Sequence, residues 1–397
     1  MNNRQLFLKH LGQTSKFPLL LEIERAEGIY MYDGDNKAYL DLISGIGVSN
    51  IGHRHPEVIE AIKNQIDKHL HLMVYGEFVS SPQVQLAHAL SNTIPPPLDN
   101  VFLVNSGSEA TEGALKLAKR HTKRSKIISC ENAYHGSTAG ALSVAGSEDL
   151  KHPFRPLLPD TYRIRFGSID DLSQIDLQTA AIIIETIQGE AGVRQADLAY
   201  FRALKSRCEE VGALLILDEI QCGFGRTGKF WAFEHYDIIP DILLCAKGMG
   251  GGMPIGAFIS SQKIMHDLTH EPILGHITTF GGHPVSAAAS LATLNVLQGH
   301  GLIEMVAEKE QLFLSLLKHE QIREVRSKGL MMAVEFESFE LLDKIIHQLL
   351  KDGIISDWFL FCDNSMRIAP PLTITAEEIK MACNKILQAI DIVLTAN

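Results

Sequence analysis

The sequence predicts an α/β protein, with a doubly wound, largely parallel sheet covered by helices on both faces and a smaller α+β lobe beside it. Three observations lead there. From about residue 101 to 260, short apolar runs alternate with helical patterns, the arrangement that builds parallel sheets. The last hundred or so residues change to long amphipathic helices with few strands. The 397 residues are enough for one large domain and a second, smaller one.

Near the start, residues 29–32, the turn 33–36 (Asp-Gly-Asp-Asn) and residues 37–43 read as a hairpin. Pro56 opens a helix whose apolar face is Val58, Ile59, Ile62, Ile66 and Leu70. Residues 101–105 form a strand, and a helix follows from Ser108 with Ala110, Ala114, Leu117 and Ala118 on one side. Strands follow at 127–130 and 180–185, then a helix at 200–211 that Gly212 stops. Strands at 214–218, 242–246 and 255–260 close the series. Further on, helices at about 284–298, 303–319, 338–352 and 375–395 flank strands near 331–336 and 366–368. Thr375 with Glu378 makes a capping box there, and Ile379, Ala382, Ile386 and Ile390 mark the buried stripe. The expected division is 1–50 for the N-terminal part of the small domain, 51–290 for the large domain and 291–397 for the rest of the small domain.

Hydrophobic residues make up 46% and charged residues 21%, ordinary for a globular enzyme, and the formal charge of −11 argues against nucleic-acid or anionic-membrane partners. The six cysteines show no CxxC pair, as expected for reduced thiols in a cytoplasmic protein. No apolar run has the length of a membrane span, and the basic N-terminus lacks a signal core.

In a doubly wound sheet, ligands lie outside the carboxyl ends of the strands. The run 242–246 delivers Lys247 to such an end beside a glycine-rich turn. Desolvation there lowers a lysine's pKa and fits it for Schiff-base chemistry, although a surface lysine is the simpler reading of that segment alone. The run 214–218 ends on Asp218, which by itself could be a cap, a salt-bridge partner or a metal ligand. The two together suit pyridoxal phosphate, a cofactor with an aldehyde for the lysine and a ring nitrogen that a carboxylate keeps protonated. Gln221 could donate to the ring hydroxyl. Gly107 and Ser108 stand between a strand and a helix, where free amides bind an anion; a plain N-cap is the alternative. Tyr134 could stack on a flat ring, or simply pack.

Taken in order, NSGSEA, YHG, ETIQGEAGV, DEIQCGFGRTG, LCAKGMGGGMPIG and TTFGGHP resemble the class III aminotransferases of the ornithine, acetylornithine and 4-aminobutyrate type, pyridoxal-phosphate enzymes of fold type I. GIYMYDGDN near the N-terminus and RIAPP near the C-terminus extend the resemblance over nearly the whole chain. It implies a seven-stranded, mostly parallel sheet in the large domain. It also implies a ping-pong transfer of an amino group, often ω or ornithine-like, to 2-oxoglutarate, in a homodimer with shared active sites. By the same resemblance Lys247 and Asp218 are catalytic, and Ser106, Gly107, Ser108, Tyr134, His135, Glu185, Gln221 and Thr279 complete the cofactor site, Thr279 reaching the neighbouring subunit's phosphate. Arg367, Glu190, Phe78 and Thr278 fall on the substrate side, with Arg367 gripping a carboxylate and Glu190 masking it. Rival readings on this scaffold are an aminomutase or decarboxylase, and a non-catalytic cofactor-binding protein, which intact Lys247, Asp218 and Gln221 disfavour.

The chain departs from the pattern in places. Ser137 stands where ornithine-type enzymes carry an arginine, Thr186 replaces a proline, and the 75–82 segment differs from the ornithine-type substrate loop. Two motifs are decoys. Gly223 to Gly228 spells a dinucleotide fingerprint, but four residues separate it from the strand and no regular helix follows. His53 and His55 suggest a metal pair, yet with no acidic or cysteine partner at a useful spacing they read as a turn before a helix, and no metal is expected.

Overall fold

The computed structural model describes residues 1–74 and 76–395, so Tyr75 of the 75–82 segment lies outside the described residues. An N-terminal meander, β1 (Ile23–Glu27), β2 (Tyr30–Asp33) and β3 (Ala38–Asp41), opens the fold. The third strand stops at Asp41 rather than at residue 43 because the Asp41 carboxylate accepts the amides of Ile43 and Ser44 and turns the chain.

The main sheet has seven strands: β4 (Asn100–Val104), β5 (Lys126–Cys130), β6 (Thr161–Ile164), β7 (Thr179–Glu185), β8 (Leu214–Asp218), β9 (Ile242–Cys245) and β10 (Gly256–Ser260). Their order is β4-β10-β9-β8-β7-β5-β6, and β10 runs antiparallel to both its neighbours. The pairs β9–β8, β8–β7, β7–β5 and β5–β6 are parallel. Helices on both faces bury every residue of β7 and β8, and each enclosed Ile or Leu contributes roughly 1.5–3 kcal/mol of transfer free energy. The edge strand β6 went unpredicted because its four residues, Thr-Tyr-Arg-Ile, are mostly part-exposed and carry a weak pattern.

In the C-terminal lobe, β11 (Glu324–Ser327) and β12 (Met332–Glu335) pair antiparallel. Then β13 (Ile354–Ile355) joins β3 in parallel, so the N-terminal meander and the C-terminal lobe share a sheet. The antiparallel partners β14 (Trp358–Phe359) and β15 (Cys362–Ile368) complete the lobe, with β15 lying against β12. Helices Phe339–Lys351 and Ala376–Thr395 cover it, and Ile379, Ala382, Ile386 and Ile390 of the latter are fully buried.

The helix Pro56–Ile66 is shorter than its apolar pattern. Val58 is buried, but Ile66 and Leu70 are exposed, and the helix has ended before Leu70. The dinucleotide look-alike is a turn pinned by Arg226. That buried guanidinium donates to the carbonyls of Leu330 and Pro370 and to Asn50. The residues after it form a short 3₁₀ turn, Ala232–His235. Among the described residues no helix is long and apolar enough to cross a membrane.

Candidate active site

The carboxyl ends of β4, β5, β7, β8 and β9 fall along one edge of the sheet. Because β10 runs the other way, its start lies at the same edge, and Met253, Pro254 and Ile255 wall the cavity there. The cavity has a volume of about 440 Å³ and is lined by Ser106, Gly107, Ser108, Tyr134, His135, Glu185, Glu190, Asp218, Gln221 and Lys247. A second cavity, about 1200 Å³, shares Tyr134, Glu190 and Lys247 with the first and adds Asp357, Trp358 and Arg367. The lining residues from Ser106 to Lys247 converge because they lie at or shortly past strand ends of the main sheet, and Arg367 reaches them from β15.

Lys247 sits two residues past β9 with a backbone φ of +46°, the left-handed region that costs a non-glycine residue about 1 kcal/mol or more. Burial pulls its ammonium below the usual lysine range, partly offset by the Glu190 carboxylate and reinforced by Arg367. Across the sheet, Asp218 ends β8 in register with Glu185 at the end of β7. The Asp218 carboxylate accepts the Ile220 amide at 3.0 Å and meets His135 Nδ1 at 2.7 Å. His135 is buried, and its Nε2 has no hydrogen-bond partner among the described residues. Glu185 accepts the amides of Tyr134 and Gly189. Burial pushes its carboxyl up to about 7, a rise that His135 opposes and Asp218 assists.

At the far wall the helix Gly107–Thr122 points its N-terminus at the cavity. Its cap is Ser106, whose hydroxyl accepts the Glu109 amide at 3.2 Å, so the predicted start at Ser108 moves back by one residue. Gly107 and Ser108 then fall in the first turn, where amides have no intrahelical acceptor. Ser108 Oγ accepts the Ser137 amide at 3.2 Å. The loop carrying Tyr134 approaches so closely that a Cβ on Gly136 (φ +128°) would lie 2.3 Å from that hydroxyl.

Arg367 is 3% exposed and its fork holds Glu190 through two parallel bonds of 3.0 Å each. Burial raises the Glu190 carboxyl, but Arg367 outweighs it and the group ends below its ordinary value. Gln221 Nε2 donates to the same carboxylate at 3.1 Å, linking the cofactor side of the cavity to the arginine.

Other predicted residues lie elsewhere. Phe78 is 57% exposed and lines neither cavity of this chain. Its neighbour Val79 is exposed as well. Thr278 and Thr279 line neither cavity; Thr278 Oγ accepts from Asn105 Nδ2 at 3.0 Å, and the Thr279 carbonyl pairs with His71 Nε2 at 2.8 Å. Asp357, on Arg367 Nε at 2.8 Å, was missed. The histidine pair separates: His53 bonds Asp41 at 2.9 Å. His55 does meet an acidic group after all, since its ligand atom and those of Glu57 and His300 lie within 4.8 Å of one another. The spacing along the chain hid this because His300 arrives from another helix end.

The residues fit a pyridoxal phosphate. A buried carboxylate with an orphaned histidine behind it, a desolvated lysine and a glycine-lined helix N-terminus suit a ring nitrogen, an aldehyde and a phosphate respectively. Fold and cavity together are those of a fold type I pyridoxal-phosphate enzyme.

The sequence pattern of the family described as aminotransferase class-III matches residues 12–390, and the chain belongs to that family. It is similar, at 37% identity over 98% of this chain and 99% of the relative, to the acetylornithine aminotransferase of Methanopyrus kandleri. It is 39% identical, over 92% of this chain and 93% of the relative, to a [LysW]-aminoadipate semialdehyde/glutamate semialdehyde transaminase of Sulfolobus acidocaldarius. Among solved structures, the ornithine aminotransferase of Toxoplasma gondii superposes with a TM-score of 0.91 at 29% identity, covering 100% of this chain and 97% of the other. A transaminase of the marine bacterium Virgibacillus gives 0.93 at 28% identity, with 99% of each chain covered. The protein is therefore a pyridoxal-phosphate-dependent aminotransferase that uses an amino donor and a 2-oxo acid acceptor.

Proposed function

We propose that this enzyme moves the terminal amino group of an ornithine-like donor to 2-oxoglutarate, with Lys247 and Asp218 as its catalytic residues. The observation that carries the substrate half of this reading is the bidentate Arg367–Glu190 pair in a cavity shared with Lys247. A planar guanidinium matches a carboxylate, and a carboxylate already on the fork is a removable stand-in for a substrate's. The names of the acetylornithine and ornithine aminotransferases among its relatives support the donor class.

Bound pyridoxal phosphate supplies an electron sink that acidifies the C–H beside the donor nitrogen. Lys247 Nζ, whose pKa burial lowers from the usual lysine range, would remove that proton and return it as a general base. Asp218, held by His135 and the Ile220 amide, would keep the ring nitrogen protonated. Gly107 and Ser108 would hold the phosphate with Ser106 fixing their helix, Tyr134 would cover the ring, and Gln221 and Glu185 would complete the pocket. Glu190 masks Arg367 while the donor is bound, then yields the fork to the oxo acid.

Two copies make the working unit in this proposal. Leu70, Leu72, Phe78, Val79 and Phe280 are exposed, and the Phe280 ring, next to Thr279 in the chain, lies 4.8 Å from that of His71, tilted by 51°. An apolar face of this kind suits a second copy, and it would carry Thr278, Thr279 and Phe78 to the neighbouring site. All six cysteines are free, in keeping with a reducing, cytoplasmic setting. The test is a panel of amines (N-acetylornithine, ornithine, 4-aminobutyrate, lysine, diamines) assayed with 2-oxoglutarate. Glutamate formation with at least one ω-amine is expected; formation with α-amino acids alone overturns the donor class.

A further inference from the structure

The Arg367 fork is held at both ends. Its Nη atoms face Glu190, and its Nε–H donates to Asp357 Oδ1 at 2.8 Å. The same Asp357 also accepts the Arg367 amide through its backbone carbonyl at 2.8 Å. One residue therefore grips Arg367 by main chain and side chain together, at the point where β13 passes into β14. Ser356 Oγ donates to the Arg367 carbonyl at 2.7 Å, and the Trp358 carbonyl accepts from Nη2 at 3.2 Å. The guanidinium carbon lies 4.3 Å over the Phe359 ring. Four consecutive residues, 356–359, thus build a cradle for one side chain.

The two carboxylates are not equivalent. Glu190 is held by Gln221 and by the Leu360 amide as well as by the arginine, and it occupies the Nη edge that matches a substrate carboxylate. Asp357 takes the Nε edge, which points away from that exchange. When Glu190 leaves, the fork loses both of its Nη bonds to that carboxylate, and only Asp357, the Trp358 carbonyl and the Phe359 face still hold it. Asp357 also leaves the buried cation a counter-charge during the exchange, without which a lone guanidinium is costly.

Resting on the proposed use of Arg367 for the oxo acid, we propose that Asp357 is a positioning residue: it stays on Nε throughout, and so presents the same Nη edge to Glu190 and to the incoming carboxylate. Its charge acts equally on the two competing anions and cancels in the exchange. Its acceptor oxygen does not cancel, because orientation is needed only when Glu190 has gone.

The measurement is binding of glutarate, a non-reacting dicarboxylate, to the cofactor-loaded protein by calorimetry, alongside KM values for 2-oxoglutarate and for an amine donor without a carboxylate. Asp357→Ala raises the glutarate Kd and the oxo-acid KM about tenfold or more, the cost of losing a charge-assisted bond, and leaves the donor KM in place. Asp357→Asn keeps an acceptor at Nε and holds both values within about threefold of the parent, because the charge cancels. Equal losses in the two variants, an unchanged Kd in Asp357→Ala, or parallel changes in donor and acceptor KM each overturn the proposal. A parent enzyme that binds no glutarate, or whose affinity survives Arg367→Ala, refutes the assignment of Arg367 itself. Circular dichroism of each variant separates these outcomes from loss of the fold.

Discussion

Replacing Glu190 by glutamine preserves the shape of the side chain and removes the charge that faces the Arg367 fork. The pair consists of two bonds of 3.0 Å between groups that are both almost fully buried. Glutamine has a single acceptor oxygen and an amide nitrogen that only donates, so one of the two bonds to the arginine is lost, at about 1.5–3 kcal/mol net for a bond to a charged partner, and the other is kept. For the pair this is about 2 kcal/mol, or roughly thirtyfold in the competition between residue 190 and a substrate carboxylate. The oxo-acid KM should fall by up to that factor. A donor that carries no carboxylate at this end should bind several-fold more weakly, since it now faces an unmasked cation. Asp357 and the Trp358 carbonyl still partner the arginine, so the stability loss stays near 1–2 kcal/mol rather than the ~3–5 kcal/mol of an orphaned buried charge. Stopped-flow absorbance of the two half-reactions, measured separately, reads both effects. Parallel shifts in the two KM values, or an oxo-acid KM that does not move, would refute the masking argument.

Arg367→Ala should raise the oxo-acid KM by two orders of magnitude or about 3 kcal/mol, with a much smaller change for the donor; equal changes, by steady-state kinetics with both substrates varied, count against a carboxylate grip. Gly136→Ala places a methyl 2.3 Å from Ser108 Oγ at a φ of +128°, so it should raise the cofactor Kd at least about tenfold while thermal unfolding of the cofactor-free protein drops only slightly. Glu219 is buried among the amides of Ala232 and Phe233 and the Thr186 hydroxyl, and burial pushes its carboxyl from 4.5 up to about 7 despite them. Between those values the folded chain holds a proton that the unfolded chain has released. Stability contributed by that proton is complete below pH 4.5 and is lost as pH rises toward about 7, with a slope of up to ~1.4 kcal/mol per pH unit. Glu219→Gln should flatten that slope in denaturant titrations whatever its cost at a single pH; an unchanged slope assigns the effect to other groups.

The strands that build the site were the most legible part of the chain. The runs ending at Asp218 and near Lys247 are apolar without interruption, because both faces of a central parallel strand are covered, and such runs announce the carboxylate or lysine that ends them. Edge strand β6 was silent for the opposite reason: with part-exposed residues it has neither alternation nor a continuous apolar run. The helix from Pro56 was read too long since Ile66 and Leu70 sit at helical spacing yet stay exposed, and periodicity cannot tell a face that packs on its own chain from one that does not. Phe78 has the same ambiguity, an exposed aromatic whose partner the sequence of one chain does not reveal. Asp357 left no trace because its meaning comes from a partner ten residues on across an irregular strand pair, where β14 and β15 shift register. The meeting of His55 and Glu57 with His300 depends on two helix ends that only the tertiary fold brings together.

One measurement bears most directly on the chemistry assigned to this fold. Borohydride reduction of the cofactor-loaded enzyme fixes any imine as a stable amine, and peptide mass spectrometry then locates the added pyridoxyl group. The label should fall on Lys247 alone among the chain's lysines and disappear in Lys247→Ala. Label on another lysine, or an active enzyme that takes up none, would contradict the account.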